Sequence, residues 1–268
     1  MTVRFGVPAI LPKLFAEALL IIVNFAIQRD LVFTRRETTG QATDWDRYYK
    51  RVAPTARLTR KYTTKVLLDA MKRFASPSSG NKELAIIEIG GANSCFLDRI
   101  LADVGCRQYD VVDTNEYGLS LLDPKARGDG RIRRHRKSVL DLTIEANADI
   151  VFSVGLIEHF DAPRTRQAVL AHFDVLRPGG AAIITFPTPT LLYRITRGLA
   201  EMFGMWQFPD ERPLKPAEVL ATVMERGEVL VSKTLWPLIL TQTLVVVRKH
   251  EKPPVTPKDE SRHAAGER

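Results

Sequence analysis

Cysteine is nearly absent from this chain: of 268 residues only Cys95 and Cys106 are cysteines, with no metal-ligand spacing between them. A disulfide framework and a cysteine-built metal centre are therefore excluded. The pair fits a reducing compartment, both thiols are expected to be packing residues, and no metal site is expected. Internal repeats are missing too. The glycine pair Gly90–Gly91 is not followed by Lys-Ser/Thr, so triphosphate hydrolysis on a phosphate-binding loop lacks its motif. Nor are there three spaced glycines, which speaks against a dinucleotide-dependent oxidoreductase.

What is present fits one enzyme-sized domain with attachments. Hydrophobic residues make up 45% of the chain, enough for a substantial core. A net charge of +8 is compatible with nucleic acid, anionic lipid or phosphorylated substrates without choosing among them. From Leu84 onward short β-like runs alternate with helical patterns, with strands expected at 84–90, 108–113, 131–137, 148–154 and 181–186. Runs 228–236 and 241–248, separated only by a few residues around Pro237, read as a closing antiparallel pair. The fold class is α/β: a Rossmann-like, seven-stranded, mostly parallel sheet with helices on both faces, spanning residues 41–249. An amphipathic helix over 57–75 and the linker "ASPSSGNKE" precede it. The charged, proline-rich tail 250–268 has little to bury and is expected to be disordered.

Residues 1–40 differ in character. "VPAILPKLFAEALLIIVNFAIQRDLVF" is strongly apolar, and its Lys13, Glu17, Asn24 and Gln28 fall within about 60° on one helix. That narrow polar stripe suits a transmembrane or membrane-surface helix, or an amphipathic helix packed on a partner. Gln28, Arg29 and Asp30 stand where a cleavable leader needs small residues, and Arg29, Arg35 and Arg36 favour a cytoplasmic C-terminal side.

The stretch "IIEIGGANSCFLDRI" carries the chemistry. A glycine turn between strand and helix lets backbone approach a ligand and exposes the unpaired N–H groups of a helix start. Glu88, just before the turn, would repel a pyrophosphate and suits a ligand end bearing an ammonium. The stretch resembles motif I of the class I S-adenosylmethionine-dependent methyltransferases, of the type 11 kind: Glu88 and Gly90 match, Gly91 adjoins, and Ala92 and Ser94 stand at later small positions. "YDVVDTNEYG" then places Asp113, beside Thr114, at the family's ribose-binding acid. "SVLDL" places Asp141 where members hold the adenine amino group, with Val139 and Leu140 beside it. "DIVFSVGLIEHFDAPRTRQAVLAHFDVLRPGGAAIITFP" resembles the fourth strand, the Glu-His segment and the turn into the fifth strand. The resemblance covers about Trp45 to Lys249. It implies S-adenosyl-L-methionine as cofactor, bound by Glu88, Gly90, Gly91, Ala92, Asp113, Thr114, Leu140 and Asp141, with Tyr49 of "DWDRYYKR" closing over its methionine end.

Methyl transfer from a sulfonium needs orientation and desolvation more than catalytic groups. For a hydroxyl acceptor His159 is the candidate base, and Glu158 orients it or faces the cofactor; the plain alternative is that His159 packs the next helix. The segment after the fifth strand, rich in Tyr193, Trp206 and Phe208 with Arg194, Arg197 and Arg212 nearby, is expected to cover an acceptor pocket for a partly anionic ligand. No Asn/Asp-Pro-Pro-Tyr/Phe follows the fourth strand, which disfavours methylation of nucleic-acid bases. The basic run "RIRRHRK" is expected to protect an edge strand rather than bind RNA. "VNFAIQRDLVFTRR" resembles the end of the last transmembrane helix of GtrA-like proteins, which implies a position near lipid-linked sugars. Taken together, the chain is expected to be a methyltransferase of a small-molecule, glycan or lipid-linked acceptor, acting on oxygen. Its expected place is the cytoplasm, at the inner face of the cytoplasmic membrane, with no nucleic-acid partner. The alternative is a non-catalytic S-adenosylmethionine-binding module of a membrane-associated assembly.

Overall fold

The computed structural model describes residues 42–50, 54–77, 80, 82–144, 147–235 and 241–251. Two helices come first, α1 (Trp45–Lys50) and α2 (Pro54–Phe74), then β1 (Leu84–Ile89), α3 (Leu97–Asp103), β2 (Cys106–Asp113), α4 (Glu116–Ser120), α5 (Asp123–Gly128) and β3 (Ile132–Arg136). A 3-10 turn over Val139–Asp141 leads to β4 (Ala148–Val154), and another over Ile157–His159 leads to α6 (Ala162–Asp174). The chain closes with β5 (Leu176–Pro187), α7 (Leu191–Met202), α8 (Pro216–Val223), β6 (Gly227–Leu235) and β7 (Gln242–Lys249).

The seven strands form one sheet in the order β3-β2-β1-β4-β5-β7-β6. Strands β1 to β5 are parallel, and β7 runs antiparallel to both β5 and β6. A central strand covered on both faces is largely apolar, and β1 is buried along its whole length, with Glu88 near its end as the one charged residue. Ile86 joins the core under α2 and α3, while Ile87 and Ile89 join the core under α6 and α8. Burying such side chains contributes about 1.5–3 kcal/mol each.

β3 forms the edge. Only Ile132 of that strand is buried, and its charges are paired: Arg134 with Asp123, His135 with Asp110 and Arg136 with Glu116. The basic run is thus an edge strand with acidic partners, as its pattern suggested. β5 is longer than the expected 181–186. It begins at Leu176, runs through the glycine turn, and slips register against β4 there.

Strand order reverses between β1 and β4, the crevice where open α/β sheets place ligands at the carboxyl ends of their strands. The expected N-terminal apolar helix and most of the expected disordered tail lie outside the described residues. Among the described residues no helix is long and apolar enough to cross a membrane.

Candidate active site

At the end of β1 Gly90 takes a φ of 79°, a left-handed conformation that glycine adopts without strain, and its N–H bonds Val112 O at 2.8 Å. Gly91 is needed for a different reason. A Cβ there would lie 2.4 Å from Glu88 Cδ, because the Glu88 side chain curls beneath the turn. Tyr109 Oη donates to Glu88 Oε2 at 2.7 Å, and burial pushes the Glu88 carboxyl up to about 7 against the hydrogen bonds from Ser94 and Tyr109. Ser94 also accepts from the N–H groups of Phe96 and Leu97, opening α3.

Asp113 ends β2 and fastens the glycine turn to it. Its Oδ2 accepts from Ala92 N at 3.0 Å and its Oδ1 from Asn115 N at 2.8 Å. Burial raises its pKa, while these backbone N–H groups pull the other way. The carboxylate still borders a cavity of about 420 Å³ at the carboxyl ends of the parallel strands. That volume lies in the range of small-molecule and cofactor pockets.

Of the sequence-predicted residues, Glu88, Gly90, Gly91, Asp113, Thr114, Tyr49, Glu158 and His159 line this cavity. Three do not. Ala92 is fully buried behind the turn, touching Gly118, and contributes only its N–H to Asp113. Leu140 and Asp141 are turned away by the 3-10 turn: Leu140 lines a separate shallow depression and Asp141 is exposed. Lys137, Ser138 and Val139 occupy the wall where Asp141 was expected.

α1 roofs the cavity with Trp45, Tyr48 and Tyr49. Tyr49 lies within reach of Asp113 and of Glu88 and Arg60: burial first, then the Asp113 charge, raises its pKa, and a Cβ on Gly118 would meet its ring at 2.8 Å. The roof is latched on both sides. Asn115 Nδ2 donates to Asp46 Oδ1 at 2.6 Å, and Thr43 donates to Asp210 through its backbone N–H and its hydroxyl. Arg60 of α2 donates to Tyr48 Oη at 3.0 Å and borders the cavity near Cys95, a cation that helix periodicity gave no reason to single out.

The opposite end is acidic and aromatic. His159 Nδ1 pairs with Asp210 Oδ1 at 2.9 Å, leaving Nε2 as the nitrogen that can meet a ligand. The Trp45 ring stands edge-on at 4.9 Å from the imidazole, and Phe208 at 6.0 Å. Burial alone would lower the His159 pKa, but the Asp210 hydrogen bond and the charges of Glu158, Asp210 and Glu211 outweigh it and hold it above its ordinary value. Asp210, despite its own burial, is held down at about 2 by His159 and Thr43. Glu158 is buried and pushed up to about 8, and its Oε2 has no hydrogen-bond partner. Gln242 Oε1, also at the cavity wall, is similarly unpartnered. Orphaned buried oxygens of this kind are rare in folded proteins and mark places where a ligand's donors fit.

The covering segment supplies Tyr193, Trp206 and Phe208 to the wall, as expected, and also Asp210 and Glu211, which were not anticipated, but its arginines do not face the cavity. Arg197 bonds Glu201 Oε1 and Glu211 O, and Arg212 is bidentate to Glu218. The expectation of a basic lid over an anionic ligand is therefore overturned. Asp210 pairs with His159 across 51 positions of sequence, a separation that no local motif reveals.

Residues 86–180 match the family model of the methyltransferase domain. No curated protein matches the chain. Among solved structures it resembles the N-methyltransferase NodS of Bradyrhizobium japonicum crystallised with S-adenosyl-L-homocysteine (13% identity, TM-score 0.54, 75% of this chain and 91% of that one). It also resembles the magnesium protoporphyrin IX methyltransferase of Synechocystis with S-adenosylhomocysteine bound (11%, 0.59, 76% and 94%). An O-methyltransferase family protein of Burkholderia thailandensis is similar as well (14%, 0.56, 85% and 71%). At these identities the likeness is one of fold, and the matched segment is a methyltransferase domain of the S-adenosylmethionine-dependent class.

Proposed function

We propose that this chain methylates a hydroxyl group of a small-molecule, glycan or lipid-linked acceptor, with S-adenosyl-L-methionine as donor and His159 as general base. Residues 41–249 form the catalytic unit, and 1–40 hold it at the inner face of the cytoplasmic membrane. The residues fit the cofactor. Asp113 has lone pairs left for ribose hydroxyls, Gly91 makes room for the Glu88 side chain beneath the turn, Glu88 offers a buried carboxylate to an ammonium, and Arg60 offers a cation to a carboxylate. When bound, the cofactor supplies an electrophilic methyl on a cationic sulfur.

The observation that carries the reading is the His159–Asp210 pair at the cavity wall. Asp210 fixes the tautomer so that Nε2 accepts the proton released by the acceptor hydroxyl as its oxygen takes the methyl. The imidazolium so formed sits among Asp210, Glu158 and Glu211, so positive charge is kept in the site instead of being expelled from it.

The test is turnover of S-adenosylmethionine to S-adenosylhomocysteine with a pool of cellular small-molecule, glycan and lipid extracts as acceptors. His159→Ala should keep cofactor affinity and lose on the order of a hundredfold in turnover. Undiminished turnover in that variant would make His159 a packing residue. Cofactor binding with no turnover on any acceptor would instead leave the chain a binding module.

A further inference from the structure

Eight large apolar side chains are exposed among the described residues, and five of them, Leu191, Leu192, Met202, Phe203 and Met205, belong to α7 and the turn after it. Leu191 and Phe203 are each 66% exposed and Met205 65%. At 100° per residue Leu191, Ile195, Leu199, Met202, Leu192 and Phe203 fall within an arc of about 120°. Tyr193, on the other side of the same helix, is buried, donates to Glu211 and lines the active-site cavity. One face of α7 closes the cavity while the other presents a continuous apolar stripe to water. Isolated exposed leucines need no explanation, but a stripe does.

The path of the chain says what covers it. The described residues begin at residue 42, and Thr43 is bonded to Asp210, a few residues beyond Met205 along the chain. The apolar stretch 7–33, with Arg29, Arg35 and Arg36 behind it, precedes Thr43 by about ten residues, at most ~35 Å of extended chain. The chain carries a net charge of +8, and the exposed Arg194 borders the stripe. We infer that the α7 stripe seats the domain on an anionic lipid surface, with Leu191, Met202 and Phe203 at the headgroup boundary and the cavity closed by the opposite face of the same helix. This rests on the methyl-transfer reading only for its consequence, which is that the acceptor is a hydroxyl presented by a lipid or a lipid-carried group.

The experiment uses the full chain on vesicles of phosphatidylcholine and phosphatidylglycerol containing a carbene-generating hydrophobic probe, with labelled peptides mapped by mass spectrometry. The segment 191–205 should be labelled on vesicles. A Leu191→Glu/Phe203→Glu double variant should lose that labelling, and its vesicle partition should fall on the order of tenfold or more. S-adenosylhomocysteine affinity, read by calorimetry, should not change. Labelling of 1–36 with none in 191–205 would overturn the proposal and assign the stripe to protein packing. So would a double variant that partitions like the parent, or one that dissolves a dimer of the parent in the absence of lipid. Failure to bind S-adenosylhomocysteine would sink the methyl-transfer reading and leave the lipid result standing.

Discussion

Asp149 and Glu158 lie at opposite ends of β4, both almost wholly buried, and they meet burial in opposite ways. Asp149 Oδ2 accepts from Ala85 N and Arg107 Nη1, each at 2.8 Å, and Oδ1 from Arg177 Nε at 2.7 Å. Burial would raise its pKa, but those three partners outweigh it and hold the carboxylate ionised. Glu158 has an oxygen without a partner, and burial drives its carboxyl up to about 8 although His159 pulls it down. The amino end of the sheet is chemically finished; the carboxyl end is left incomplete on the side from which a ligand arrives. Satisfaction of polar groups, not burial, separates these two acids.

The largest expected effect breaks the finished end. Asp149→Ala leaves Arg107 and Arg177 facing each other without their shared anion and should cost about 3–5 kcal/mol in denaturant unfolding. Cofactor affinity of the folded fraction should not change. Glu158→Gln should do the reverse, gaining about 1–3 kcal/mol at pH 8 while turnover falls. The sign follows from Glu88 and Glu158, both raised in the fold to about 7 and about 8. Between the ordinary carboxylate range and pH 8 the native state holds more protons than the unfolded one, so stability falls as pH rises. The raised His159 acts in the same direction, since its contribution is complete below its unfolded pKa and is lost as pH passes the folded one. His172, held down at about 4 by burial, opposes this only below its ordinary value, so thermal unfolding of the parent should decline from about pH 6.5 to pH 8, and the Glu158→Gln profile should be flatter. Equal slopes would mean that the orphaned oxygen is satisfied in solution. Asp113→Ala should weaken calorimetric cofactor binding by about 1–3 kcal/mol, the loss of charge-assisted bonds to ribose. The smallest effect is expected at Asp141→Ala, which should leave that affinity unchanged, whereas an effect matching Asp113→Ala would return Asp141 to the site.

The strands were legible because their signals are local. The apolar run before Gly90, the acid closing β2 and the pair around Pro237 each lie within a few residues of sequence. The ligand turn was legible for the same reason. What escaped depends on rotation or on distance. Asp141 was assigned to the cavity by its place after β3, but the 3-10 turn swings it outward and leaves Ser138 and Val139 at the wall. The lid arginines looked like ligand cations until Glu218, Glu201 and Glu211 were seen to hold them. Arg60 and Asp210 reach the site only through tertiary packing, and nothing in their own neighbourhoods distinguishes them.

The latch between Thr43 and Asp210 ties access to chemistry. Asp210 has two of its three hydrogen bonds to Thr43 and the third to His159. Swinging α1 aside to admit or release a ligand removes those two and loosens the carboxylate that aims the imidazole. On the base role proposed for His159, the site is armed only while shut, because the imidazole is aimed only while the Thr43–Asp210 latch is closed. Release of product should accordingly pace the cycle, as in other enzymes whose lid must open once per turnover.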